Sequence, residues 1–244
     1  MAGPDPPAPL SPDAPTPDAP TPPSPAPPAP AVKVDPPRYG RYVVLLVALI
    51  LIGITINTLA TKPNGDKGVP VGQRVPPFAV PLALGSLEGD ANVATGPDQG
   101  EAGRVPACSV RKASAMNICA LYAGAPVVLA LFVDAGSCPK VLKDMQALAP
   151  SFPGVRFAAV AMRSSHASVR RLVRKLRVGF PVGVDRSGTL AALYSVATCP
   201  QLTFIDPGGT VQSPALLERP SRAQLRTRVA ALLAASRSVD RGAR

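Results

Sequence analysis

The sequence predicts an α/β domain, with a central mixed sheet flanked by helices, that follows one transmembrane helix and a disordered tail. Three observations support this architecture. From residue 126 onward, continuous apolar runs alternate with segments of helical apolar spacing, which is typical of an α/β sheet. Residues 42–60 form an apolar run that contains no charged residue. Of the 32 prolines in the chain, 16 come before residue 41.

The N-terminal segment, residues 1–41, is rich in Pro, Ala, Ser, Thr and Asp and has no apolar periodicity. A chain of this composition cannot bury enough apolar surface to offset the conformational entropy it would lose on folding. It therefore predicts an extended, polyproline-like disordered tail. Its PxxP patterns favour either a passive spacer or a docking site for a partner domain.

The apolar run of residues 42–60 reads YVVLLVALILIGITINTLA. As a helix it is roughly 28 Å long, close to the hydrocarbon thickness of a bilayer. Arg38, Tyr39, Arg41 and Tyr42 stand at one end, where basic and aromatic anchors are expected. Because the run begins well inside the chain, it predicts an uncleaved signal anchor rather than a cleaved signal peptide. A buried core helix is the alternative.

The remaining chain divides into a Gly/Pro/Lys linker at 61–76, one globular domain at 77–236 and a polar tail at 237–244. Residues 62–244 carry 23 Lys+Arg and 11 Asp+Glu, a net charge of +12. With no Trp and 4% aromatics, the chain has too few rings for a single-stranded nucleic-acid surface, so we expect no nucleic-acid partner.

The basic residues cluster in 163–177 and 219–228. We expect them to attract anionic lipid headgroups or envelope polymers, with a plain solvated surface as the alternative.

Strands and helices alternate through the domain, and a DPGG turn joins the last two strands into a hairpin. The hairpin makes the predicted sheet mixed, because it adds antiparallel strands to parallel ones. The predicted strands are 126–133, 155–162, 180–185, 201–206 and 210–217. The predicted helices are 139–152, 164–178, 188–196 and 221–236.

Three segments resemble a known family. GAPVVLALFVDAGSCPKVLKDMQALAPSF resembles the strand, active-site turn and helix of thioredoxin-like redoxins. FPVGVDRSGTLAALYSVATCPQLTFIDPGGTV is similar to the family segment that ends in a cis-proline loop and a hairpin, and VGQRVPPFAVPLA resembles the opening strand. The resemblance is closest to the membrane-anchored, extracytoplasmic TlpA/ResA type of the AhpC/TSA redoxin superfamily. It covers roughly residues 71–236 apart from an insertion relative to the family at about 84–120, and it implies a thioredoxin-like fold.

In this resemblance Cys138 occupies the position of the nucleophilic first cysteine of a Cys-x-x-Cys motif. A thiol at a helix N-terminus independently favours the thiolate, which is the reactive form, and Lys140 adds positive charge nearby. The sequence departs from the family at two positions. Val141 replaces the second cysteine, so a local disulfide cannot close. Phe132 stands where the family has a proton-transfer residue.

Cys199 directly precedes Pro200, which matches the cis-proline of the family. The resemblance therefore implies that Cys199 faces Cys138 across a short gap. We hypothesise a redox pair in which Cys138 attacks, Cys199 resolves and Pro200 shapes the loop that docks the substrate. A permanent structural disulfide, or two thiols too far apart to bond, is the alternative.

Cys108 and Cys119 lie within the insertion, and we interpret them as a structural disulfide. The alternative is that one of them resolves Cys138, since four cysteines allow three complete pairings. All four follow the apolar run, and an even count suits an oxidising compartment. Together with the resemblance, this places the domain on the extracytoplasmic side of the cell membrane and the tail in the cytoplasm.

The predicted function is therefore a membrane-anchored thiol–disulfide oxidoreductase that acts on extracytoplasmic thiol or disulfide proteins, without cofactor or metal. Val141 and Phe132 favour one alternative, a redox-inert binding module. A peroxidase is less favoured, because Leu131 and Ala135 stand where peroxiredoxins have Pro and Thr. Copper delivery is also less favoured. Cys138 and Cys199 could supply two thiolate ligands, but such a site usually adds a histidine, and the single histidine, His166, is expected to be solvated.

Overall fold

The computed structural model describes residues 40–60, 68–96 and 104–242. The chain divides into two units at residues 61 and 62, and each is described separately for its described residues. The predicted disordered tail, up to residue 39, and residues 61–67 of the predicted linker lie outside the described residues.

In the first unit, α1 spans Gly40–Ala60. Its described side chains, from Tyr42 to Thr55, are all exposed. Within the described part of the chain, no helix meets the combined length and apolarity needed to cross a membrane. The transmembrane assignment of residues 42–60 thus stays a prediction.

The second unit is built on a five-stranded mixed sheet, and a separate two-stranded sheet lies at its N-terminal side in sequence. The strands are β1 (Ala79–Pro81), β2 (Ala115–Asn117), β3 (Val127–Phe132), β4 (Arg156–Met162), β5 (Val182–Asp185), β6 (Gln201–Ile205) and β7 (Val211–Leu216). The strands of the five-stranded sheet lie in the order β5-β4-β3-β6-β7. The helices after α1 are α2 (Ile118–Tyr122), α3 (Lys140–Leu148), α4 (His166–Leu176), α5 (Thr189–Leu193) and α6 (Arg222–Gly242).

The sheet is mixed in the way that the sequence predicts. The central strand β3 pairs in parallel with β4 and antiparallel with β6, and β4 pairs in parallel with β5. The predicted hairpin forms between β6 and β7. All six residues of β3 are buried, as expected for a continuous apolar run that is covered on both faces.

Two apolar clusters cover the two faces of this sheet. One face of β3, including Val128 and Phe132, packs with residues of α3, α4 and α6. The opposite face, including Leu129 and Leu131, packs with residues of β1, β2, α2 and α5. This three-layer arrangement makes the fold a thioredoxin-like α/β fold, as predicted.

Three features differ from the sequence-based interpretation. The insertion contributes β2 and α2, and β2 pairs antiparallel with β1. Residues 68–76, assigned to the linker, belong to the domain, because Val69 and Val75 are buried and the Val75 N–H donates to the Gly209 carbonyl at 2.9 Å. Finally, α6 continues to Gly242 through most of the predicted polar tail.

Candidate active site

A disulfide joins Cys138 to Cys199, and the two Cα atoms are 5.6 Å apart. Cys138 lies in the turn after β3, immediately before Pro139, which caps the N-terminus of α3. Cys199 lies near the end of the segment between α5 and β6, and the Cys199–Pro200 peptide bond is cis. Because Leu131 of β3 pairs with Gln201 of β6, the end of one strand and the start of the other lie at the same sheet edge. The sheet thus brings together two cysteines that are 61 residues apart in sequence.

The two cysteines differ in exposure. Cys138 is buried, with 5% of its surface exposed, and it belongs to the apolar cluster beneath α3. Cys199 is exposed, whereas Pro200 behind it is buried. The backbone N–H of Val133 donates a hydrogen bond to Cys199 Sγ at 3.1 Å. Solvent therefore reaches this disulfide from the side of Cys199.

The two departures from a Cys-x-x-Cys site are part of the core. Val141 and Phe132 have no exposed surface, and both pack in the cluster that contains Cys138. Neither side chain can exchange a proton or form a disulfide, so any thiol chemistry at Cys138 depends on Cys199. The catalytic roles of Cys138, Cys199 and Pro200 remain predictions.

An ion pair between a buried carboxylate and a half-exposed arginine holds the helix that follows Cys138. Asp144 of α3 is 4% exposed, and its Oδ2 lies 2.8 Å from Nη2 of Arg219. Arg222 approaches the other carboxylate oxygen at 3.4 Å. Sequence analysis missed this contact and assigned both arginines to a surface cluster, because nothing local marks a pairing across about 75 residues.

Two cavities are lined in part by the sequence neighbours of Cys138 and Cys199. One, of about 310 Å³, lies beside the turn that carries Cys138 and is lined partly by Pro139, Lys140, Lys143 and Lys175. The other, of about 700 Å³, begins at Thr198, the residue before Cys199, and continues along Arg219 and Arg228. Basic side chains outnumber acidic ones in both linings, since Asp134 also lines the first cavity and Glu218 the second.

A second disulfide joins Cys108 to Cys119, with a Cα–Cα distance of 5.4 Å. The side chain of Asn117 organises this loop. Its Nδ2 donates to the carbonyls of Ala107 and Val110 at 2.9 and 3.0 Å, and its Oδ1 accepts from the N–H of Cys119 at 2.8 Å. Cys108 and Cys119 therefore staple the insertion and are paired with each other rather than with Cys138.

The expectation that His166 is solvated is wrong. Its side chain is 11% exposed, Nδ1 lies 2.8 Å from Glu88 Oε1, and Nε2 lies 2.9 Å from the Leu82 carbonyl. The hydrogen bond and the positive charge of His166 lower the pKa of the Glu88 carboxyl. Both ring nitrogens already have partners, so His166 serves to hold the insertion against the N-terminus of α4.

The arginine cluster of α4 is also partly structural. The guanidinium of Arg170 donates to the carbonyls of Ala83 and Gly85 at 3.1 and 2.8 Å. Arg170 therefore fastens the start of the insertion, and the solvated basic surface of this helix consists of its other cationic residues.

Comparisons with known proteins agree with this fold. The AhpC/TSA family profile matches residues 106–213, a segment that contains all four cysteines. A Chlorobium tepidum protein assigned as a thiol:disulfide interchange protein DsbE is similar in structure, with a TM-score of 0.52 and 18% identity over 68% of this chain and 99% of that one. An uncharacterized conserved protein from Geobacillus kaustophilus has a TM-score of 0.51 and 18% identity over 68% of this chain and 83% of that one.

A secreted disulfide oxidoreductase of Mycobacterium tuberculosis, homologous to E. coli DsbE, is 25% identical over 48% of this chain and 89% of that one, with a TM-score of 0.43. No curated protein matches the sequence. Fold and site together define the class: a thioredoxin-like domain, matched by the AhpC/TSA family profile over residues 106–213, that carries a disulfide beside its cis-proline loop.

Proposed function

We propose that this protein is a thiol–disulfide oxidoreductase that works through the Cys138–Cys199 pair instead of a Cys-x-x-Cys motif. The observation that carries the proposal is the disulfide between the buried Cys138 and the exposed Cys199, next to a cis-proline. Disulfide exchange requires a sulfur that an external thiolate can reach, and the exposure of Cys199 supplies it.

The surroundings of the second disulfide indicate a structural role for it. Cys108 and Cys119 are both partly buried, and the hydrogen bonds of Asn117 fix the loop that they close. Cys199 is more exposed than either of them, and an accessible sulfur exchanges more readily than a covered one. We therefore assign a structural role to Cys108–Cys119 and a redox role to Cys138–Cys199.

We further propose that residues 42–60 anchor the protein in the cell membrane, with residues 1–41 in the cytoplasm and the domain on the extracytoplasmic face. An uncharged apolar run of this length and the presence of all four cysteines in disulfides support this placement. The substrates would then be thiol or disulfide proteins of the cell envelope. The basic side chains that line both cavities beside the disulfide would attract anionic lipid or envelope polymers.

The test is a redox titration of the full chain in glutathione buffers of graded potential, with disulfides mapped by mass spectrometry after acid quenching. We expect Cys138–Cys199 to be reduced at a potential above about −300 mV, whereas Cys108–Cys119 persists. If both bonds resist reduction equally, the oxidoreductase proposal fails.

A redox-inert binding module is the second candidate. The complete burial of Val141 and Phe132, where family members carry reactive groups, favours it. In that case the Cys138–Cys199 bond is structural, and the two cavities lined by its sequence neighbours Pro139 and Thr198 become the candidate binding surface. The same titration separates the two functions.

A further inference from the structure

We infer that Cys199 is the sulfur that exchanges with external partners and that the buried Cys138 is the resolving thiol. This inference rests on the proposed redox function and reverses the roles that the family resemblance implies. It concerns which of the two sulfurs forms the mixed disulfide with a substrate.

Exposure is the first argument. Cys138 is 5% exposed and lies within the apolar cluster that packs under α3, whereas Cys199 is exposed on the loop before Pro200. An external thiolate must approach the sulfur that it attacks along the axis of the disulfide. Access is therefore open at Cys199 and closed at Cys138.

The polar surroundings of the two sulfurs are the second argument. The Val133 N–H, which donates to Cys199 Sγ at 3.1 Å, is placed to stabilise negative charge whenever Cys199 leaves as a thiolate. Cys138 precedes the first turn of α3, where the positive end of the helix dipole favours the thiolate. Cys138 is thus a good leaving group when Cys199 is attacked, and an activated thiolate afterwards.

Exchange with a substrate dithiol transfers two electrons from the substrate to the protein in two steps. A substrate thiolate attacks Cys199 Sγ, the Cys138–Cys199 bond breaks, and Cys138 leaves as a thiolate. The second substrate thiolate, once its proton passes to solvent, attacks the substrate sulfur of the mixed disulfide, and Cys199 leaves as a thiolate. The substrate loses two electrons to form its disulfide, and the protein gains them. In the reverse direction, the Cys199 thiolate attacks a substrate disulfide, and Cys138 then attacks Cys199 Sγ to release the substrate.

The test compares Cys138→Ser and Cys199→Ser in the full chain, after mild reduction that frees the remaining redox cysteine and leaves Cys108–Cys119 closed, with oxidised glutathione as the probe. Intact mass confirms in each sample that Cys108–Cys119 is still closed. We expect Cys138→Ser to form a stable glutathione adduct on Cys199 at least about tenfold faster than Cys199→Ser forms one on Cys138. Equal rates, or a faster reaction at Cys138, would overturn the inference.

A second measurement avoids substitutions, because loss of one cysteine can uncover the other. The oxidised wild-type chain is mixed with reduced glutathione, quenched with acid at early times and digested for mapping. Glutathione on Cys199 supports the inference, and glutathione on Cys138 contradicts it. If the wild-type chain gains no adduct and its Cys138–Cys199 bond also stays oxidised, while reduced Cys138→Ser still gains an adduct, the exchange function fails but the assignment of the accessible sulfur stands.

Discussion

Arg219 binds the buried carboxylate of Asp144 with two nitrogens, since its Nε and Nη2 lie 2.9 and 2.8 Å from the same oxygen, Oδ2. Asp144 belongs to α3, the helix that begins two residues after Cys138, and Arg219 belongs to the connection that leads into α6. This ion pair therefore couples the position of the active-site helix to the C-terminal part of the domain.

We predict that Asp144→Ala lowers the free energy of unfolding by about 1–3 kcal/mol, because two arginines lose their acceptor and a buried site loses its polar contacts. Urea unfolding of the full chain measures the change. Arg222→Ala is the matched control. Its guanidinium is 63% exposed and 3.4 Å away, so the loss should stay below about 0.5 kcal/mol. Equal losses in the two variants would show that Asp144 acts through something other than Arg219.

Gly183 of β5 provides a test of packing between the two sheets. A Cβ built on Gly183 would collide with Val80 Cγ2 and lie 2.9 Å from Met116 Cε. Val80 and Met116 belong to β1 and β2, so the glycine allows the small sheet to approach the large one closely. We predict that Gly183→Ala lowers stability by about 1–3 kcal/mol through overpacking, measured by urea unfolding.

Two companion variants define the cause. Gly154→Ala is the control, because the added Cβ there would meet only Leu233 Cδ1, at 3.5 Å. That variant should change stability far less. Adding Val80→Ala to Gly183→Ala should recover part of the loss, and a further decrease without any recovery would argue against the collision.

The contact between Glu88 and His166 predicts a pH dependence of stability. The hydrogen bond from His166 lowers the pKa of Glu88, and the positive charges of His166, Arg170 and Arg186 lower it further. A carboxyl whose folded-state pKa is depressed contributes stability above its unfolded pKa of about 4.3, and loses it as pH falls through the lower folded-state pKa. The stability advantage of the wild type over Glu88→Gln should therefore be present at neutral pH and shrink below about pH 4.3.

Urea unfolding of both proteins between neutral pH and the acid limit of folding measures this difference. In a His166→Asn background, Glu88→Gln should lose most of its pH-dependent effect, because the hydrogen bond with His166, the main cause of the lowered pKa of Glu88, is gone. A difference that is constant with pH would mean that the contact with His166 does not stabilise the charged form of Glu88.

Where an element depends on its own residues, the sequence predicted it well. The runs that became β3 and β4 are continuously apolar apart from the exposed Arg156, which is typical of strands that are covered on both faces. The predicted ends of these two strands are off by at most one residue. The sequence missed β2, at Ala115–Asn117, because a three-residue strand has no periodicity and exists only through its pairing with β1. It also ended α6 early, since residues 237–242 carry no apolar pattern that marks a helix.

The sequence by itself determined the α/β alternation, the cysteines at the start of α3 and beside Pro200, and the pattern of departures at Val141 and Phe132. These are properties of local residue order. Tertiary structure alone decided that Cys199 is exposed while Cys138 is covered, that Asp144 meets Arg219, and that His166 is held by Glu88. Exposure and pairing between distant residues depend on how strands and helices pack, and that packing is a property of the whole folded domain.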